Sequence, residues 1–120
     1  MLYGGCGTSG PASDAAAVAG RFQAALAERE GSVACAQLSP VTASKLAQQE
    51  HRPCERAIFD LNLPSAREVD SRSVYVTSAS VALAGGSVLF LDEGPGGWEV
   101  SAAGCRPAGP ALPYDCELEG

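Results

Sequence analysis

Positive charge and long apolar runs are both scarce in this sequence of 120 residues. Lysine and arginine together number 8 against 14 aspartates and glutamates, which gives a formal net charge of −6. A surface of this charge repels the phosphates of nucleic acids and the anionic headgroups of lipids, so neither is expected as an electrostatic partner. No apolar run in the sequence approaches the roughly 18 residues that a membrane-spanning helix needs.

Aromatic residues are also few, at 6% of the chain, although 46% of its residues are hydrophobic. Much of this hydrophobic fraction is alanine, which buries little apolar area on folding. A chain of this length therefore predicts one domain with a single modest core, which needs further stabilisation.

Residue types that carry catalysis are equally sparse. The only histidine, His51, lies in "QQEHRPCER" among charged neighbours, which indicates an exposed helix end. Asp60 and Asp70 flank the change from helical to strand patterns, where capping or turn duty is expected. Tyr75 is compatible with a position inside the fold or on its rim. Because no G-x-S-x-G, H-E-x-x-H or glycine-rich phosphate loop is present, we expect no catalytic residues, cofactor or metal.

Cysteine, in contrast, is abundant, with five residues in a short chain. Cys35, Cys54, Cys105 and Cys116 lie in the body of the sequence, and none of the spacings is C-x-x-C. Two disulfides in an oxidising compartment are the favoured interpretation. A zinc site and buried reduced thiols are the alternatives.

Four cysteines allow three pairings. Cys105 with Cys116 would close the Pro/Gly-rich loop "RPAGPALPYD", and Cys35 with Cys54 would close a helical region. Both loops are short enough to form locally, and a loop of this order contributes roughly 3 kcal/mol in the chain-entropy treatment. We therefore expect these two pairs, with the Cys105–Cys116 bond fastening a tail that packing alone would not hold.

The first residues, "MLYGGC", resemble a lipobox, the site at which bacterial lipoproteins are cut and acylated on cysteine. Gly4 and Gly5 fit its small positions, whereas Tyr3 stands where an aliphatic residue is usual. Cys6 is the expected lipidation site, with a signal segment preceding these residues. The alternative is that Cys6 is an unpaired thiol. We assign residues 1–13 to a lipobox remnant and flexible tether, and residues 14–120 to one domain.

Helical patterns fill the first half of this domain. Ser13 or Asp14 is a suitable cap for a helix over residues 14–30, with Gly31 ending it. Shorter helices are expected over residues 32–39, after the Ser39-Pro40 start signal, and from Pro53 onward.

After Pro64 the pattern alternates and predicts three or four strands. Gly85-Gly86 predicts a two-residue hairpin turn that would set Leu83 opposite Val88. In that register both faces of the hairpin are apolar. The sheet is then either covered on both sides or forms a dimer through an outer face near Leu89 and Leu91. Trp98 is expected to fill the core.

The segments "GGWEVSAAGCRP" and "YDC", with "ACAQLSP" and a later "RPC", resemble the small secreted lipoproteins of high-GC Gram-positive bacteria. These proteins are similar in layout to the cystatin-like and nuclear-transport-factor-two-like cone folds. The resemblance implies an α+β fold with N-terminal helices packed on a curved antiparallel sheet of three or four strands. It also implies a location at the outer face of the cell membrane, and it supplies no activity.

Three functions are compatible with these observations. The favoured one is a non-enzymatic, lipid-anchored module that binds a partner protein or a small apolar ligand in the cone. A second is a cone-fold enzyme, of the isomerase or cyclase kind, that acts on a small hydrophobic substrate with Asp70 or Tyr75 as the acid or base. A third is a structural subunit that forms a homodimer through the outer sheet face.

Overall fold

A computed structural model describes residues 10–110 and 113–120 of the chain. Four helices come first, followed by five strands. The helices are α1 (Pro11–Ala27), α2 (Gly31–Ala36), α3 (Pro40–Glu50) and α4 (Cys54–Ala57), with a 3-10 turn at Ile58–Asp60. The strands are β1 (Val69–Tyr75), β2 (Ser78–Leu83), β3 (Val88–Gly94), β4 (Gly97–Pro107) and β5 (Tyr114–Glu119). The α+β class is confirmed.

Helix α1 is rich in alanine, the best helix former, and begins with a proline whose missing N–H costs nothing in the first turn. It therefore begins at Pro11, earlier than the cap predicted at Ser13 or Asp14, and includes residues assigned to the tether.

The end of α1 also differs from the prediction. Arg29 adopts a left-handed φ of 60°. The N–H groups of Arg29 and Glu30 donate to carbonyl oxygens of the last helical turn, which closes the helix before Gly31.

Helix α3 begins as the sequence predicts. The Ser39 hydroxyl accepts a hydrogen bond from the Thr42 backbone N–H at 3.2 Å, and Pro40 occupies the first helical position. The same segment is held to the sheet, because the Ser39 N–H donates to the Val100 carbonyl and the Val100 N–H donates to the Gln37 carbonyl. The segment between α2 and α3 therefore pairs with β4 through one parallel bridge, between Leu38 and Val100.

The strands form one antiparallel sheet in the order β1-β2-β3-β4-β5. Sequence patterns predicted three or four strands, and the additional one is β5, which lies in the segment interpreted as a tail. Its sequence "YDCELE" alternates poorly in hydrophobicity, and pairing with β4 supplies its order. Cys105 and Cys116 thus lie on two paired strands that are joined by a loop.

The β2–β3 hairpin has a register that differs by one residue from the prediction. Val81 pairs with Leu89 and Ala82 pairs with Val88, so Leu83 does not face Val88. The turn takes in Ala84 as well as Gly85 and Gly86, and both glycines have a φ of 96°, which suits residues without a Cβ. A shift of one residue exchanges the two faces of a strand.

The exchange places Leu89 and Leu91 in the core, fully buried, and not on the outer face, where one of the two alternatives put a dimer contact. They belong to the same core cluster as Val18, Phe22 and Leu26 of α1 and Trp98, which fills the core as expected. The face of the sheet that packs against the helices is called the inner face below, and the opposite one is the outer face. The largest fully buried apolar side chains are Phe22, Leu46, Ile58, Val81, Leu83, Leu89, Leu91 and Val100.

Two disulfides join parts of the domain that differ in character. Cys35 of α2 is bonded to Cys54 of α4 with Cα atoms 6.2 Å apart, and this bond ties two short helices together. Cys105 and Cys116 are directly paired residues of β4 and β5, with Cα atoms 3.9 Å apart. Among the helices of residues 10–110, none combines the length and apolar character that crossing a membrane requires.

Candidate functional site

The residues that the sequence offered for acid or base chemistry do not converge. His51 ends α3 with a left-handed φ of 55° and an exposed side chain. The Asp60 carboxylate accepts two hydrogen bonds from one Arg52 nitrogen, at 2.9 and 3.0 Å. Asp70 and Tyr75 stand near opposite ends of β1, and both are exposed. An acid and a base with one shared substrate need to lie within hydrogen-bond reach of it, which these positions do not provide.

The inner side of the sheet is occupied by protein. Phe22 of α1, Leu46 of α3 and Ile58 are each no more than 1% exposed and fill the concavity where the sequence suggested a ligand. Side chains therefore fill the space between the helices and the sheet, where an apolar ligand was expected.

A cleft beside α1 is polar. It has a volume of about 510 Å³ and lies between the first half of α1, the end of α2 and the β3–β4 turn. Asp14, Arg21, Glu93 and Glu99 line it, and the Arg21 Nε donates to the Gln37 side-chain oxygen at 3.4 Å. Charged walls of this kind do not suit a small apolar ligand.

Carboxylates concentrate at the end of the sheet that carries this cleft. Asp92 of β3 and Glu99 of β4 stand directly opposite each other, and both line a neighbouring cleft of about 520 Å³ together with Glu119. Like charges across a strand pair repel each other, so a positively charged group is favoured there. Within residues 10–110 and 113–120, no three His, Cys, Asp or Glu side chains are grouped so as to hold a metal ion.

Sequence reasoning missed an apolar patch on the outer face. Phe90 of β3 and Tyr114 of β5 contact each other edge to face, with ring centroids 5.1 Å apart. Val88 and Ala82, a directly paired couple, continue the patch, and all four side chains are partly or largely exposed. Cys105 lies opposite Val88, so its disulfide to Cys116 borders the same patch. We call Ala82, Val88, Phe90 and Tyr114 the outer-face patch.

A second apolar feature lies at the β1–β2 turn. Tyr75 is 74% exposed and Val76 is 91% exposed, and Val76 has a φ of 53°. A β-branched residue in this left-handed conformation is unusual and strained. Single-sequence patterns gave no sign of it, because "YVTS" continues the strand alternation without glycine or asparagine.

The four cysteines of the body are consumed by disulfides, so none of them offers a thiolate to zinc or to a substrate. Cys6 and the lipobox-like segment lie outside the described residues. The predicted lipidation therefore stays a prediction.

No protein-family model, curated protein or solved structure matches this chain.

Proposed function

We propose that this chain is a non-enzymatic module that binds a partner protein outside the cytoplasm, held to the outer face of the cell membrane by a lipid at Cys6. Two disulfides support the extracytoplasmic location, since cytosolic reductants keep such cysteines reduced. The likeness to small secreted lipoproteins and the lipobox-like "LYGGC" support the anchor.

The outer-face patch is the observation that carries the proposal of a protein partner. Phe90 and Tyr114 form an aromatic pair on an open sheet face, and aromatic residues supply much of the energy of protein interfaces. A small apolar ligand is the weaker candidate, because Phe22 and Leu46 fill the interior and charged residues line the cleft beside α1.

Charge restricts the chemistry of the partner. Asp92 and Glu119 are exposed, and Asp92 lies two residues beyond Phe90 of the outer-face patch along β3. A partner with an apolar centre and lysine or arginine at its rim matches both features. The negative net charge of −6 favours the same partner by long-range steering.

The proposal is tested by photo-crosslinking in the cells that make the protein. A photoreactive amino acid replaces Val88 in the patch, and as a control it replaces Val41, which is 68% exposed on α3. A discrete crosslinked protein at position 88 that is absent at position 41 is expected. The purified partner should bind the wild-type domain and lose at least about tenfold in affinity with Tyr114→Asp, because a buried unpaired charge is costly at an interface.

Other outcomes are equally informative. A crosslink between two copies of the chain would replace the partner protein by the homodimer. Identical crosslinks at both positions, or an affinity unchanged by Tyr114→Asp, would overturn the role of the outer-face patch. Circular dichroism and thermal unfolding of each variant establish that it is folded.

A further inference from the structure

The β1–β2 turn, residues 75–78, lies at one end of the sheet together with the start of α1. In an antiparallel sheet of consecutive strands, the β1–β2 and β3–β4 turns occur at the same end. The Glu93 N–H donates to the Thr77 carbonyl at 2.8 Å, which joins the first turn to β3 close to the second. Asp14 in the first turn of α1 lines one cleft with Gly96 and Gly97 of the β3–β4 turn.

The start of α1 therefore lies at the end of the domain that carries Tyr75 and Val76. Only four residues, Gly7 to Gly10, separate Cys6 from Pro11. Five residue steps span at most about 18 Å when fully extended. A lipid on Cys6 would hold this end of the domain close to the bilayer surface, and the opposite end would face away.

From this juxtaposition we propose that the side chains of Tyr75 and Val76 insert into the surface of the lipid bilayer and so orient the anchored domain. This inference rests on the proposed function. A tyrosine suits the boundary, since its ring is apolar and its hydroxyl reaches water. Val76 is 91% exposed at the very tip of the hairpin, where it can enter first.

A hydrogen bond holds the tip in place although its backbone is strained. The contact of Thr77 with Glu93 fixes one side of the turn to β3. Glycine or asparagine would adopt the φ of 53° at Val76 more easily, and strained turns persist where function needs them. The apolar side chain is thus kept at a position where local backbone preference opposes it.

Charge decides the kind of bilayer. Asp92 pairs with Ser78, and the Glu93 N–H donates to the Thr77 carbonyl, so both carboxylates lie at this end of the sheet and anionic lipids repel it. The contact is therefore apolar insertion, and the orientation should be stronger on zwitterionic vesicles than on vesicles rich in anionic lipid.

The test attaches the full chain to vesicles through Cys6 with a thiol-reactive lipid, since the other cysteines are in disulfides. This coupling is independent of whether cells acylate Cys6. Tyr75→Trp places a fluorescent probe at the tip, and Tyr114→Trp is the matched control at the other end of the sheet. Trp98 is buried and gives a background measured on the unsubstituted chain. β4 has 11 residues, so roughly 30 Å separates the two ends at about 3.3 Å per residue.

Quenching by vesicle lipids with nitroxide headgroups should remove most of the emission added by Tyr75→Trp and little of that added by Tyr114→Trp. Adding Val76→Asp should reduce the quenching at position 75 severalfold, and anionic vesicles should reduce it as well. Equal quenching at both positions, or none at position 75, would overturn the orientation. Mass analysis of the protein from its own cells tests acylation of Cys6 separately, so the two failures are distinguishable.

Discussion

Gln23 of α1 binds the segment that leads into the sheet through its side-chain amide, which donates to the Pro64 carbonyl at 2.8 Å. The same nitrogen donates to the Ala66 carbonyl at 2.7 Å, and the side chain is only 2% exposed. The segment from Pro64 to Ala66 carries no regular secondary structure, so one buried side chain satisfies backbone groups that a helix or strand would otherwise pair.

Gln23→Met keeps the volume and removes both hydrogen bonds. We expect the free energy of unfolding to fall by about 1–3 kcal/mol, because two partly buried carbonyl oxygens lose their donor. Urea unfolding followed by circular dichroism measures the loss. Gln48→Met on the exposed side of α3 is the control and should change stability by less than about 0.5 kcal/mol. Equal effects of the two changes would remove Gln23 from this role.

Gly31 and Gly20 offer a matched pair for testing helix packing. A Cβ at Gly31 would overlap the Glu55 carbonyl oxygen at the contact of α2 with α4, whereas a Cβ at Gly20 meets no atom within 4 Å. Gly31→Ala should therefore destabilise the domain by about 1–3 kcal/mol through overpacking. Gly20→Ala should stabilise it by about 0.5–1 kcal/mol, since alanine is the better helix former. Thermal unfolding of both variants decides, and a stabilising Gly31→Ala would contradict the packing of α2 on α4.

Val76→Asn should stabilise the domain by about 1 kcal/mol, because asparagine tolerates the left-handed backbone that valine resists. Val41→Asn, also at an exposed valine but in helical backbone, serves as the control and should bring no gain. Calorimetry of the two variants makes the comparison. A loss of stability in Val76→Asn would show that the turn is not strained.

Local chemistry was predictable from sequence where it acts within a few residues. Ser39 and Pro40 set the start of α3 because the capping hydrogen bond needs only the next turn. The end of α1 was not predictable, because Arg29 takes a position that glycine usually fills and its guanidinium lies 4.2 Å from the centre of the Phe59 ring. That contact joins residues far apart in the chain, and a cation–π contact of this kind stabilises the position of the Arg29 side chain.

Register and surface depend on still more distant information. A two-residue turn at Gly85-Gly86 gives a register in which Leu89 and Leu91 could lie on the outer face of the sheet. Ala84 joins the loop, so the register shifts by one residue and both side chains lie on the inner face. The outer-face patch was missed because its aromatic pair brings together Phe90 of β3 and Tyr114 of β5, a strand that the sequence did not predict. The acidic residues around Cys116 concealed a strand whose order comes from β4.

Each disulfide should contribute to stability by an amount that rises only slowly, with the logarithm of the length of the loop it closes. The sequence separations are 19 for Cys35–Cys54 and 11 for Cys105–Cys116. Replacing either pair by alanines should lower the free energy of unfolding by about 3 kcal/mol, because the unfolded chain regains the entropy of an open loop. Guanidinium unfolding of the two double variants measures this loss. A domain equally stable without either bond would contradict the need for covalent support of an alanine-rich core.

The oxidation state of the four body cysteines in protein taken from its own cells tests the extracytoplasmic location most directly. The protein is denatured without reductant, alkylated and mapped by mass spectrometry. We predict that Cys35, Cys54, Cys105 and Cys116 remain unmodified and that linked peptides join the first pair and the second pair. Alkylation of all four would mean that the chain resides in a reducing compartment, and it would contradict both the location and the covalent support of the fold.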